Sequence, residues 1–159
     1  MTKSALREAI LQQLRAALAL QTNAAALAHD EAISEESRAE SKWDTHSQEA
    51  AYLAEGQAKL AGEVSASIEL YTTLPFPDLG PNGIAVLGAL VELAVAGQTA
   101  WYFLGPRAGG LELRIDGHQV LVVTPSSPLG RQLIGKRVGD TIKTTGHGTA
   151  AMQRVVAVS

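Results

Sequence analysis

Residues 126–140 read SSPLGRQLIGKRVGD. Ser127 is placed to cap a helix start, and Pro128 suits the first helical position, where its missing N–H costs nothing. Leu129 to Ile134 then make about one and a half turns, with Leu129 and Leu133 on one face. Gly135 can take the left-handed conformation that stops a helix. Gly139-Asp140 makes a tight turn into whatever follows. The stretch therefore predicts a short helix and turn that close a small sheet.

The residues on both sides supply that sheet. IAVLGALVELAV and QTAWYFLG read as strands around Gly97, and Gly105-Pro106-Arg107 as a turn. LELRIDGHQVLVV alternates apolar and polar residues, and its Asp116-Gly117 pair is a strong hairpin signal. TIKTTGHGTAAMQRVVAV reads as a last hairpin turning at Gly146-His147-Gly148. The C-terminal half is expected to be a small antiparallel sheet with at most one short helix.

Upstream the period changes from two to about three and a half. From about Ser4 to Ile33 neither Gly nor Pro interrupts an Ala/Leu-rich run. Leu11, Leu14, Leu18, Gln21, Ala25, Ala28 and Ala32 alternate steps of three and four, the spacing of a coiled-coil seam. A second run, about Arg38 to Ile68, places Trp43, His46, Ala50, Leu53, Gln57, Leu60 and Val64 on a similar stripe. Gly56 and Gly62 weaken it by roughly 1 kcal/mol each relative to Ala. Between the runs lies SEES, Ser34–Ser37, a polar turn. Two helices of similar length across a tight turn fold back antiparallel, as an arm on the order of 45 Å long. TTLPFPDLGPNG, Thr72–Gly83, is a linker, since three prolines and two glycines suit neither helix nor central strand. The expected organisation is an α+β chain. Residues 1–70 form an antiparallel two-helix coiled-coil arm, 71–83 a linker and 84–159 a β domain.

Composition narrows the function. The 159 residues contain no cysteine, which excludes disulfides, thiolate metal sites and thiol nucleophiles. Neither a secretory leader nor a run of about 18 apolar residues is evident, so a cytoplasmic protein without membrane contact is expected. Net charge is −3. Residues 1–75 hold 6 Lys/Arg against 11 Asp/Glu, and residues 76–159 hold 7 against 5. This balance argues against a chain that coats nucleic acid, which needs clustered cations. Asp30, Glu31, Glu35, Glu36 and Glu40 crowd near the expected turn.

Ser127, Pro128, Leu129, Gly130, Arg131, Leu133, Ile134, Gly135, Lys136, Gly139 and Asp140 resemble, in order, a motif of the bacterial GreA/GreB-type transcript-cleavage factors. Leu87–Val91 and Tyr102–Gly105 resemble that family's first strands. QEAAYLAEGQAKLAGEV, with Glu49, Glu55 and Gly56, is similar to the second helix of its arm. The resemblance implies an FKBP-like β domain that docks at the rim of the secondary channel of bacterial RNA polymerase. It implies an arm that enters the channel and meets the nascent RNA 3′ end only indirectly. It further implies acidic tip residues that share a Mg²⁺ with the polymerase, with no cofactor held tightly by the factor itself. Carboxylates suit that role, since Mg²⁺ takes hard oxygen ligands and a second metal can orient an attacking water.

The resemblance assigns Glu36 and Glu40 to the tip, with Glu35 as a further carboxylate. Lys136, Arg137, Arg131 and Asp140 become the expected polymerase contacts. The family's tip reads roughly Gly-Asp-Leu-x-Glu-Asn-x-Glu-Tyr, whereas this chain reads EESRAESKW. Glu40 falls on the first tip Glu and Ser37 on the Asp, with Glu36 one position earlier. Ser37-Arg38-Ala39-Glu40 also fits a capping box, so Glu40 can face a metal, cap a helix, or do both.

Other residues carry plainer readings. His29, Asp30, Asp44 and His46 lack His-x-x-x-His spacing on one helix and read as ordinary surface or seam groups. His118 and His147 sit beside turn glycines. Trp43 can stack on a partner or anchor the hairpin end. Ser127 has no Gly-x-Ser-x-Gly context and reads as a cap. A prolyl isomerase, the activity that an FKBP-like fold could suggest, would need an aromatic pocket. Trp101, Tyr102 and Phe103 alternate faces and cannot all line one. A secondary-channel regulator without cleavage is the other reading of the family resemblance. A monomer is expected, because the tight turn lets the two stripes cover each other within one chain.

Overall fold

The computed structural model describes residues 2–33, 46–80, 82–95, 98–146 and 149–159. The SEES turn, Trp43, Asp44 and the tip carboxylates Glu35, Glu36 and Glu40 lie outside the described residues, as do Gly97 and His147. In chain order the elements are α1 (Lys3–Ile33), α2 (His46–Thr73), β1 (Leu90–Val95), β2 (Gln98–Leu104), β3 (Glu112–Ile115), β4 (His118–Val123), α3 (Pro128–Leu133), β5 (Thr141–Gly146) and β6 (Thr149–Val158).

The chain divides into two compact units, Leu11–Glu69 and the combination of Met1–Ile10 with Leu70–Ser159. The division differs from the sequence expectation of 1–70, 71–83 and 84–159. The first ten residues and the end of α2 belong with the sheet because their apolar side chains are spent there. Leu6, Ile10 and Tyr71 are fully buried, and Leu74 nearly so.

In the helical unit α1 follows its expected stripe. Leu11, Leu14 and Ala28 are buried, and Leu18, Gln21 and Ala25 are half-buried. The stripe on α2 is displaced. Gln57 and Val64 are covered as expected, but their neighbours in the seam are Ala54 and Ala61, while Leu53 and Leu60 are exposed. Counting back from the buried Tyr71 in sevens reaches Val64 and Gln57. The second row then falls at Ile68, Ala61 and Ala54, on the far side of that line from the leucines. Small alanines permit close approach of the other helix, and period alone does not choose between the two rows.

The six strands form one sheet in the order β3-β4-β2-β1-β6-β5. All neighbours pair antiparallel except β2 and β4, which run parallel with Phe103 opposite Val122. The expectation of a wholly antiparallel sheet is corrected at that one place. The Asp116-Gly117 turn sends β4 back between β3 and β2, so β4 meets β2 after two reversals. Asp116 and Gly117 both have positive φ, 50° and 81°, as a two-residue hairpin turn requires. Residues 84–89, expected to begin the first strand, instead form a turn at Gly88, whose φ is 86°.

Both faces of the sheet carry packed side chains. On one, Val91, Leu93, Leu104, Val123, Ile142 and Val155 pack with Leu133 of α3. On the other, the Phe103 ring lies 6.3 Å from that of Tyr71 and 4.9 Å from that of Phe76, and the Arg7 guanidinium sits 4.5 Å above Phe76. Arg7 also donates to the Leu74 carbonyl. The start of α1 thus lies beside the end of α2, so the two helices run antiparallel. The proline-rich segment is packed against the sheet through Phe76 and Leu79.

The Tyr71 hydroxyl donates to the Arg107 carbonyl at 2.7 Å, and burial pushes its pKa well above the ordinary tyrosine value. The fold therefore favours the protonated phenol. Its contribution is fully present below the unfolded value of about 10 and is lost as pH rises past it. Burial lowers the Lys3 pKa, with Asp78 partly opposing, which gives a slope of opposite sign. Tyr71→Phe is expected to cost about 1 kcal/mol at neutral pH and to remove part of the loss above pH 10. Denaturant titrations of both proteins at several alkaline pH values check this, because Lys3 is common to both. Gly56 and Gly62 have open space where a Cβ would stand. Alanine at either should raise stability by about 0.5–1 kcal/mol, read as a higher melting temperature.

Candidate functional site

The Ser126–Asp140 stretch folds as its residue types dictate. Ser127 is the N-cap of α3, and its hydroxyl oxygen accepts from the Gly130 N–H at 3.0 Å while donating to the Thr124 carbonyl at 2.8 Å. Pro128 opens the helix. Gly130 is required by packing, since a Cβ there would stand 1.9 Å from the Thr124 carbonyl oxygen. Leu133 is buried in the sheet core and Leu129 packs against the same cluster. Gly135 stops the helix at φ 81°. Its N–H donates to the Ala85 carbonyl at 2.8 Å, and the Ala85 N–H returns a bond to the Lys136 carbonyl at 2.8 Å.

The four expected partner contacts separate into two pairs. Asp140 turns inward on its own loop, its carboxylate accepting from the Arg137 N–H at 2.9 Å. The Gly139 N–H bonds the Val155 carbonyl at 2.9 Å, fixing that loop to β6. The Arg137 side chain is exposed. Arg131 and Lys136, by contrast, share the wall of a groove of about 600 Å³ with Gln132, Ile134, Thr141, Ile142, Lys143 and Met152. Arg131 is oriented by a bond to the Ser126 carbonyl. Gln132 reaches across and accepts from the Lys143 N–H at 2.9 Å, holding α3 against β5.

The groove joins three cations to exposed apolar side chains. Met152, directly across the strand pair from Lys143, is 58% exposed, and Ile134 is also open. Sequence reasoning missed Lys143, Met152 and the exposure of Ile134. The available signal was the expected β5–β6 hairpin, whose register sets Lys143 opposite Met152.

A second concavity, of about 390 Å³, is lined by Trp101, Tyr102, Glu112, His118, Gln119 and neighbours. Trp101 and His118 meet edge to face, with ring centroids 5.7 Å apart. Burial raises the Tyr102 pKa. Phe103 lies under the Tyr71 ring, so the three consecutive aromatics do not form one aromatic-lined pocket. Among the described residues no group of three or more His, Asp or Glu side chains could hold a metal. No described helix is long and apolar enough to cross a membrane.

Solved structures similar to this chain include two Gfh1 proteins and one GreA/GreB factor. The GreA factor homolog 1 of Thermus thermophilus is 20% identical over 96% of this chain and 94% of its own, with a TM-score of 0.40. Gfh1 of Thermus aquaticus is 18% identical over 99% and 96%, with a TM-score of 0.40. The transcription elongation factor GreA/GreB of Nitrosomonas europaea is 19% identical over 65% and 79%, with a TM-score of 0.40. No protein-family model and no curated protein matches the chain.

Replacing Ser127 by Ala should cost about 1 kcal/mol through loss of the cap. Gly130→Ala should cost more, about 1–3 kcal/mol, because the Thr124 carbonyl must move. Chemical denaturation of the two variants beside the wild type gives the order directly.

Proposed function

We propose that this chain is an RNA polymerase-binding elongation factor that stimulates cleavage of backtracked RNA without being the hydrolase itself. One observation carries the reading: the Ser127–Asp140 run, which resembles the GreA/GreB motif at eleven positions in order. The two-helix unit and the compact sheet are consistent with it. On this reading the groove beside α3 meets the polymerase, with Arg131, Lys136 and Lys143 attracting acidic groups and Ile134 and Met152 supplying apolar contact. The arm enters the secondary channel. Glu36 and Glu40, with Glu35, contribute carboxylate oxygens to a Mg²⁺ that the polymerase shares, where the metal orients the water that attacks the RNA. Ser37, standing where the family carries Asp, favours a second reading: a secondary-channel regulator that binds without cleaving.

Mixing the protein with a stalled elongation complex separates the two. Release of short 3′ RNA products, lost in Glu36→Ala/Glu40→Ala while polymerase binding persists, is the expected result. Binding with no product at any Mg²⁺ concentration rejects cleavage and leaves the regulator. Lys136→Glu/Lys143→Glu should weaken polymerase binding at least tenfold at low salt, and by less at high salt. Unchanged affinity would remove the groove from the interface.

A further inference from the structure

Residues 16–28 of α1 read AALALQTNAAALA and contain no charged residue. An uncharged helical stretch whose only polar residues are Gln21, Thr22 and Asn23 ordinarily has most of its surface covered. Here only one side is covered. Leu20 is 68% exposed and Leu27 72% exposed, far from the stripe of Leu14, Gln21 and Ala28. Ala16, Leu20, Asn23 and Leu27 are spaced by four, three and four, and all four are exposed. This is a second heptad seam, flanked by the exposed alanines Ala19 and Ala26 that permit close helix approach. A lone Asn in such a seam is the device that selects register and partner. Thr22, the neighbouring polar residue, is satisfied within the helix, its hydroxyl donating to the Leu18 carbonyl at 2.8 Å.

We propose that this seam pairs, antiparallel, with the same seam of a second copy of the chain. Self-complementarity identifies the occupant. With a twofold axis beside Asn23, Leu20 of one copy meets Leu27 of the other, and the two Asn23 amides meet each other. Charge sets the direction. Arg15 and Asp30 bound the uncharged stretch at its two ends. Antiparallel pairing puts Arg15 of each copy near Asp30 of the other, whereas parallel pairing sets like charges together. Heptad spacing recurs in the exposed Leu53 and Leu60 of α2, which enlarges the apolar surface of the arm. The sequence expectation of a monomer considered only the stripe that α1 and α2 share. Pairing occupies the arm itself, so self-association would compete with insertion into any partner's channel.

The chain has no cysteine, which makes the test direct. Asn23→Cys should oxidise to a covalent dimer much faster than Ser4→Cys, an exposed control on the same helix. Leu20→Cys alone should stay single, and an equimolar mixture of Leu20→Cys and Leu27→Cys should cross-link. Sedimentation of the unmodified chain should show its mass approaching twice the single-chain value as concentration rises. Leu20→Glu/Leu27→Glu should remain single with helical circular dichroism retained. A single-chain mass at every concentration, or Leu20→Cys linking to itself as fast as Asn23→Cys, overturns the proposal. None of these measurements involves the polymerase, so failure here leaves the function proposed above standing, and the converse holds.

Discussion

The Tyr71 side chain sits where several parts of the chain compete for the same space. A Cβ at residue 105 would lie 2.0 Å from the Tyr71 hydroxyl oxygen, so only glycine admits the phenol. Once admitted, the ring meets Phe103, the hydroxyl bonds the Arg107 carbonyl, and the last turn of α2 is bound to strand β2 and the loop after it. Phe76 continues the contact, and Arg7 covers Phe76 and bonds the end of α2. Through this chain of contacts the first turns of α1 and the last turn of α2 are held to the sheet.

The opposite face of the sheet is organised by a second close approach. Gly130 against the Thr124 carbonyl draws α3 onto the sheet, Leu133 fills the core, and Gln132 reaches β5. Arg131, Ile134 and Lys136 then line the same groove as Lys143 and Met152. Ser127 and Asp140, both prominent in the motif, serve the backbone of this device and are already bonded within it. The Asp140 carboxylate is taken up by the Arg137 N–H, whereas Arg131, held by the Ser126 carbonyl, lines the groove together with Lys136.

Among the described residues, exposed apolar side chains lie both beside α3 and along α1. Beside α3 they are mixed with the cations Arg131, Lys136 and Lys143. Along α1 the chain is free of charge over thirteen residues, as suits a helix of like kind. The two surfaces need not serve one event, and each can be altered without touching the other.

Local chemistry was legible in the sequence wherever a residue type admits few conformations. The Ser-Pro cap, the glycine stop of α3, the Asp116-Gly117 turn, the limits of most strands and the α1 stripe all follow from neighbours within one or two turns of the chain. The row of α2 that faces α1, the parallel pairing of β4 with β2, the space that Gly105 leaves for Tyr71 and the arrival of Lys143 beside Lys136 were decided by tertiary structure. Each depends on groups distant in sequence meeting across a packed core, and a periodic pattern states which side chains can share a face without stating what that face will meet.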